Sequence, residues 1–374
     1  MKKNHCLQRL TVGFGLLMLP FVTYGNIIDH CAHSKNLEVH CGYPRIEDMA
    51  AITGSPHIIF AEFGGPHQEP GKLGVYSPQT KTYRQLFQQK NKALILGKNW
   101  GDDNCQWPNV LSPHGIHLSA RANGQQQLLV VNHGEQDQVL FFELTGNSPE
   151  TYALHAKGCV TFPAFAHLND VVALNNGDFA VTHMFQANQK RMSQLKAILG
   201  YSTGFVYHWN QHTGLTVLDD SDGIFPNGIE ANAQKDLLFI NMYLGHEVKI
   251  YSLKKHQYIN HIPVESPDNS SWSVSGELLV ASHQTSWNKI LSCLDIEKGS
   301  CGGAFDIIAI NTQTGSTRNV FHAKGGEGFG PATIAIEFHS EAGAQLLMGS
   351  FSGDRIAYSR EATLKNKDFT HPDS

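Results

Sequence analysis

The sequence predicts an all-β protein, a six-bladed β-propeller with a metal site on its axis. Three observations carry that expectation. Short apolar strand-like runs follow one another closely along the chain, separated by Gly-containing turn pairs. A unit of several such strands recurs six times. Polar stretches stand at strand entrances in five places: Glu47-Asp48, Pro113-His114-Gly115-Ile116, Asn169-Asp170, Pro226-Asn227-Gly228-Ile229 and Asp268-Asn269. Residues at the same place in successive repeats can converge on one axis.

Along the chain, residues 1–25 read as an export signal. Lys2, Lys3 and Arg9 form its basic start, Leu10 to Tyr24 its apolar core, and Thr23 and Gly25 fit a cleavage site. The apolar run is shorter than the roughly 20 residues that span a bilayer. Residues 26–374 are expected to form one propeller domain. The stretch from Glu47 to about Pro78, with HIIFAEF at 57–63, supplies an irregular first copy. HGIHLSARANGQQQLLVVNHGEQDQVLFFEL begins the second at His114. The third runs from Asn169 through DFAVTHMF to FVYHWN, interrupted by NQKRMSQLKAILG (188–200), the one stretch with a helical look. PNGIEANAQKDLLFINMYLGHEVKIYSL, from Pro226, is the clearest copy. DNSSWSVSGELLVASH and FDIIAIN bracket an insertion in the fifth, and ATIAIEFHSEAGAQLLMGSFSGDRIAYSR is the sixth. Turn pairs such as Asn123-Gly124 and Ser275-Gly276 separate the strands.

Bulk numbers agree. Of 374 residues only 16% are charged and 35 are glycine, which suits a turn-rich β domain. Net charge is -5 and no long Lys/Arg run exists, so nucleic-acid binding is not expected. With Cys6 in the leader, Cys31, Cys41, Cys105, Cys159, Cys293 and Cys301 remain. An even count after export favours disulfides, and proximity suggests 31–41, 105–159 and 293–301.

The run SPHGIHL, LLVVNHG, VLFFEL, LNDVVAL, GDFAVTHMF, FPNGIEA, KIYSL and PDNSSWSVSGELLVASH resembles the serum paraoxonase (arylesterase) family, within the regucalcin-like and gluconolactonase-like six-bladed propellers. The resemblance runs from about Glu47 to Tyr358. It implies two calcium ions, one catalytic and one structural. The catalytic ion's ligands fall on Glu47, Asn169, Asn227, Asp268 and Asn269. Those of the second, buried ion fall on Asp48, Asp170 and the backbone oxygen of Ile116. The family's histidine pair falls on His114 and His133, and a further histidine near the site on His283. Two departures stand out. Nothing after Cys301 can make the family's disulfide from the N-terminal region to the last blade, so ring closure is left to strand pairing or another bridge. The family's Asp-His pair is represented only by Thr182-His183-Met184.

The residue chemistry agrees with calcium, a hard cation that takes six to eight oxygens. Glu47 and Asp268 bring two negative charges and the three asparagines neutral carbonyls, a set that leaves an ion able to polarise a substrate carbonyl. Zinc would prefer histidine or cysteine. Phe225, Tyr243, Trp287 and Phe351 are candidates for an apolar rim, and equally for packing between blades. The expected function is a secreted or periplasmic, calcium-dependent hydrolase of lactones or aryl esters, acting on a small molecule. Water would be activated by His114 with His133, or by a carboxylate such as Asp268 or Glu47. The alternatives are a propeller that only binds a ligand or protein, and a sugar lactonase of the gluconolactonase type.

Overall fold

A computed structural model describes residues 27–65, 70–88, 97, 100–340 and 343–360. The expected leader, residues 1–25, lies outside them. Among the described residues, no helix is long and apolar enough to cross a membrane.

Six four-stranded antiparallel sheets make a six-bladed propeller. The innermost strands are Ile46–Ala51, Pro113–Ala120, Leu168–Ala173, Pro226–Ala231, Pro267–Trp272 and Ile334–Ser340. Each touches the innermost strand of the blade before and after it, and the first touches the sixth, so they form a closed ring. Every copy of the repeat read from the sequence is one blade.

The blades hold together because strand side chains alternate between faces. Leu128 and Val130 pack towards the first blade, while Leu129 and Val131 pack towards the third. Six separate apolar clusters result, one in each cleft between neighbouring blades. Middle strands are therefore buried on both faces and read as near-continuous apolar runs, as LLVVN and LLVASH do.

Ring closure is by strand pairing. Leu37–Cys41 adds to the sixth blade, antiparallel to Arg355–Ser359, in register from Leu37 opposite Ser359 to Cys41 opposite Arg355. Buried Arg355 reinforces the join, donating to the carbonyls of Gly328 (2.9 Å) and His30 (3.1 Å). All three expected disulfides are formed: Cys31–Cys41, Cys105–Cys159 and Cys293–Cys301. They fit an oxidising compartment.

Among the described residues, two α-helices interrupt the blades. Helix α1 (Lys190–Ile198) lies within the expected 188–200 segment. Helix α2 (Trp287–Cys293) was not foreseen, because two turns are too short for a helical period to stand out from the surrounding apolar runs. Its buried face, Ile290 and Cys293, packs with Phe351, and its Trp287 also meets the cluster of Phe185, Phe225 and Tyr243.

Candidate active site

Five of the six innermost strands begin with a β-bulge. In the second blade Pro113 faces Asn132 and Ile116 faces Val130, so His114 and Gly115 together oppose one residue. The same two-against-one shift releases Asn169 and Asp170, Asn227 and Gly228, and Asp268 and Asn269 from their ladders. In the first blade the extra residue is Glu47. A bulge bends its strand and re-aims the side chains it frees. Here it places chemistry-bearing residues at the same end of five inner strands.

Glycine permits the close approach this needs. A Cβ on Gly115 would stand 2.3 Å from Asp170 Oδ1, and one on Gly228 2.5 Å from the Asp268 carbonyl oxygen. The sixth strand has no bulge. There Thr333 fills the gap: its hydroxyl donates to the Glu47 carbonyl (2.7 Å), and its own carbonyl accepts from Asn269 N–H (3.0 Å).

The freed residues form the floor of a cavity lined by Glu47, Asn169, Asn227, Asp268, His114 and His133. Asn269 joins the floor by donating its side-chain amide to Glu47 Oε1 (2.8 Å). Four oxygens here are buried and accept no hydrogen bond: Glu47 Oε2 and the Oδ1 atoms of Asn169, Asn227 and Asn269. Buried polar atoms are rarely left so, and each costs about 1–3 kcal/mol unless something else binds it. All four are acceptors, which is what a hard cation requires. The carboxyl of Asp268 is pushed well up, first by burial and then by Glu47, with Asn227 opposing and Asp170 adding.

Asp48 and Asp170 occupy matching positions one residue further along. Asp48 accepts from Ile116 N–H (2.6 Å) and Met49 N–H (2.8 Å), and Asp170 from Ile229 N–H (2.9 Å) and Val171 N–H (2.7 Å). Each therefore staples its blade to the next, and each carboxylate oxygen keeps a second lone pair. Burial pushes both carboxyls well up, and repulsion adds to it: from Asp170 and Glu47 on Asp48, from Glu230 and Glu47 on Asp170. The groups that oppose this are backbone N–H donors. Four crowded carboxylates, from Glu47, Asp48, Asp170 and Asp268, match the charge of two divalent cations, and the donor set fits calcium.

The histidines fall into two groups. His114 Nδ1 lies 2.7 Å from His133 Nε2, and His133 Nδ1 lies 2.9 Å from Asp137 Oδ1. The other ring nitrogen of His114 is 3.3 Å from Glu47 Oε1. Phe63 stacks on His114 and His167 on His133, which fixes both rings. Burial acts to lower His133, but the charge and hydrogen bond of Asp137, with Glu47, outweigh it and hold it above the ordinary histidine value. His283 is different. Its Nε2 faces two acceptors, the Ala332 carbonyl (2.9 Å) and Asp268 Oδ2 (3.2 Å), and its Nδ1 faces the Tyr243 hydroxyl (2.8 Å). Burial lowers it to about 4. It is a neutral donor that orients Asp268. His183 does not line the cavity; its Nδ1 accepts from His167 N–H (3.2 Å), behind the site. Thr182 bonds the Asn227 carbonyl (2.6 Å) and the Asp170 N–H (3.0 Å), linking the third and fourth blades.

Phe225, Tyr243, Trp287 and Phe351 all line the cavity wall, with Phe63, Phe185 and the apolar face of α2. Phe225 holds its place with φ of +55°, a conformation bulky residues rarely adopt, and Thr203 Oγ1 accepts from its N–H (2.8 Å). Asp137, Thr333, Phe63 and His167 were not foreseen as site residues. Asp137 sits in the polar stretch GEQDQ, which reads as an ordinary turn; its one signal is its place four residues after His133.

The structure is similar to a gluconolactonase from Xanthomonas campestris, with 12% identity, a TM-score of 0.48, and coverage of 89% of this chain and 94% of that one. It is also similar to a luciferin-regenerating enzyme, with 13% identity, a TM-score of 0.49, and coverage of 86% and 95%. A search of curated proteins finds no match. The sequence family described as Arylesterase matches residues 83–352, well over half of the chain, and that span holds the histidine pair and every bulge after the first. The chain belongs to the arylesterase family, of the paraoxonase type.

Proposed function

We propose that this protein is an exported, calcium-dependent hydrolase of lactones or aryl esters. The observation that carries the reading is the set of four unpartnered buried oxygens on the floor of a cavity whose wall presents a histidine pair. Glu47, Asn169, Asn227, Asp268 and Asn269 would hold a catalytic calcium, and Asp48, Asp170 and the Ile116 carbonyl a structural one. Bound there, calcium supplies Lewis-acid polarisation of the substrate carbonyl.

The chain's own residues account for the rest. His114 Nε2 is free of the bond to His133 and is the atom that accepts a proton from water. Asn169 and Asn227 offer amide N–H groups to the oxygen on which charge develops. His283 keeps Asp268 oriented. The aromatic wall shields the reacting groups from bulk water and suits an aryl or acyl group. A polyhydroxy sugar would leave its hydroxyls unmatched against Phe63, Phe185, Phe225 and Trp287, so the wall favours apolar esters over the sugar-lactone reading.

Hydrolysis of phenyl acetate and of a γ-lactone, with and without a strong chelator, tests the proposal. Activity on at least one substrate that disappears with the chelator and returns with calcium is expected. Full activity in chelator, with no calcium retained by elemental analysis, would overturn it.

A further inference from the structure

We propose that Asp137 is the positioning residue of the histidine pair, setting the direction in which a proton moves through His114 and His133; this role rests on the hydrolase reading above. Asp137 stands in the loop between two strands of the second blade and is nearly buried. One carboxylate oxygen accepts from Leu168 N–H (2.7 Å). The other faces His133 Nδ1 (2.9 Å). Leu168 opens the inner strand of the third blade and directly precedes Asn169. One carboxylate thus ties the histidine pair to the strand that carries a floor amide.

The consequence is a fixed hydrogen-bond direction. An ionised carboxylate only accepts, so His133 Nδ1 carries the hydrogen. In the neutral ring the lone pair is then on Nε2, which must accept from His114 Nδ1–H. The lone pair of His114 is then left on Nε2. Glu47 Oε1 stands 3.3 Å from it, a longer contact than the 2.9 Å from Asp137 to His133, and that oxygen already accepts from Asn269, so the Asp137 end sets the direction. With the opposite tautomers, His114 Nε2 would carry a hydrogen and could accept nothing. The ionised state of Asp137 is supported by its surroundings: burial acts to raise its carboxyl, but the charge and hydrogen bond of His133 hold it below the ordinary aspartate range.

In the reaction, an O–H bond of water breaks and its proton goes to His114 Nε2. The oxygen's electron pair forms the new bond to the carbonyl carbon. His114 passes its Nδ1 proton to His133 Nε2, so the positive charge rests on His133 beside the Asp137 carboxylate. The acyl C–O bond then breaks, its electron pair staying on the leaving oxygen, and the proton returns by the same route to that alkoxide or phenoxide. No other reactant is needed.

Two measurements test the assignment. Asp137→Asn keeps the size of the side chain and an acceptor for Leu168 N–H, but its amide presents hydrogens to His133 Nδ1 and favours the reversed tautomers. The rate kcat on phenyl acetate should fall on the order of 10²-fold or more, with KM and calcium content close to those of wild type. Independently of any variant, nitrogen-15 spectra of histidine-labelled wild-type protein should show neutral His133 protonated at Nδ1. Wild-type kcat in a folded Asp137→Asn protein, or a His133 protonated at Nε2 instead, would overturn the role while leaving the hydrolase reading intact. A wild-type protein inactive on every ester and lactone probe would overturn the hydrolase reading and this role with it.

Discussion

Asp170→Asn separates the two things Asp170 can do, because only one of them depends on calcium. As a staple, its carboxylate accepts from Ile229 and Val171 N–H groups, and that contribution is the same with or without metal. Asparagine keeps one acceptor oxygen and turns a donor towards the other N–H, a loss of about 1–3 kcal/mol. As a metal ligand, the same carboxylate balances a buried cation, and removing one partner of a buried charge pair costs about 3–5 kcal/mol. In calcium both are lost, about 4–8 kcal/mol, and at roughly 2 °C per kcal/mol for a chain of this length the melting temperature falls by about 8–16 °C. In chelator the variant also loses a negative charge that Asp48 and Asp268 feel as repulsion. That relief offsets the lost staple, so the difference shrinks to a few degrees or changes sign. Scanning calorimetry of both proteins in calcium and in chelator, with calcium counted by elemental analysis, reads this directly. The same drop in both conditions, with two ions retained by the variant, would show that Asp170 is a staple and nothing more.

Two further outcomes are expected. His114→Gln should reduce kcat on lactone and ester on the order of 10²-fold or more while calcium affinity holds; an unaltered rate would move the base to a carboxylate such as Glu47 or Asp268. The His133–Asp137 pair should also give stability a defined pH window. His133 is raised above its ordinary 6.5, so its contribution is complete below 6.5 and is lost as pH rises through the folded value. Asp137 is depressed below its ordinary 3.8, so its contribution is complete above 3.8 and is lost as pH falls through the folded value. The melting difference between wild type and Asp137→Asn should therefore be largest between about pH 4 and 6.5 and shrink towards alkaline pH, with kcat rising as His133 loses its proton. A difference independent of pH from acid to alkaline would contradict the ion pair.

Much of this protein was legible without coordinates. The blades were, because strand alternation and turn pairs are local patterns: LLFINMY between its turns can hardly be anything but a strand buried on both faces. The positions of Glu47, Asn169, Asn227 and Asp268 were, because a repeat puts equivalent residues at equivalent places. The cysteine pairs followed from proximity along the chain. What only the tertiary structure decided is each feature that belongs to two strands at once. A bulge is a mismatch of register between partners, so no single strand reveals that His114 and Gly115 together face one residue. Which strand closes the ring depends on the partner of Arg355–Ser359, more than 300 residues away in Leu37–Cys41. Whether Phe225 and Trp287 pack between blades or line a cavity depends on where α2 lies, and that helix is too short to declare itself in sequence. The role of a histidine depends on what faces each ring nitrogen. His133 has the Asp137 carboxylate on one ring nitrogen and His114 on the other, whereas His283 has a tyrosine hydroxyl on one and a carbonyl with the Asp268 carboxylate on the other, so two similar strand-end histidines stand in different hydrogen-bond settings. Periodicity along one chain specifies which face a residue shows, and only packing specifies what that face meets.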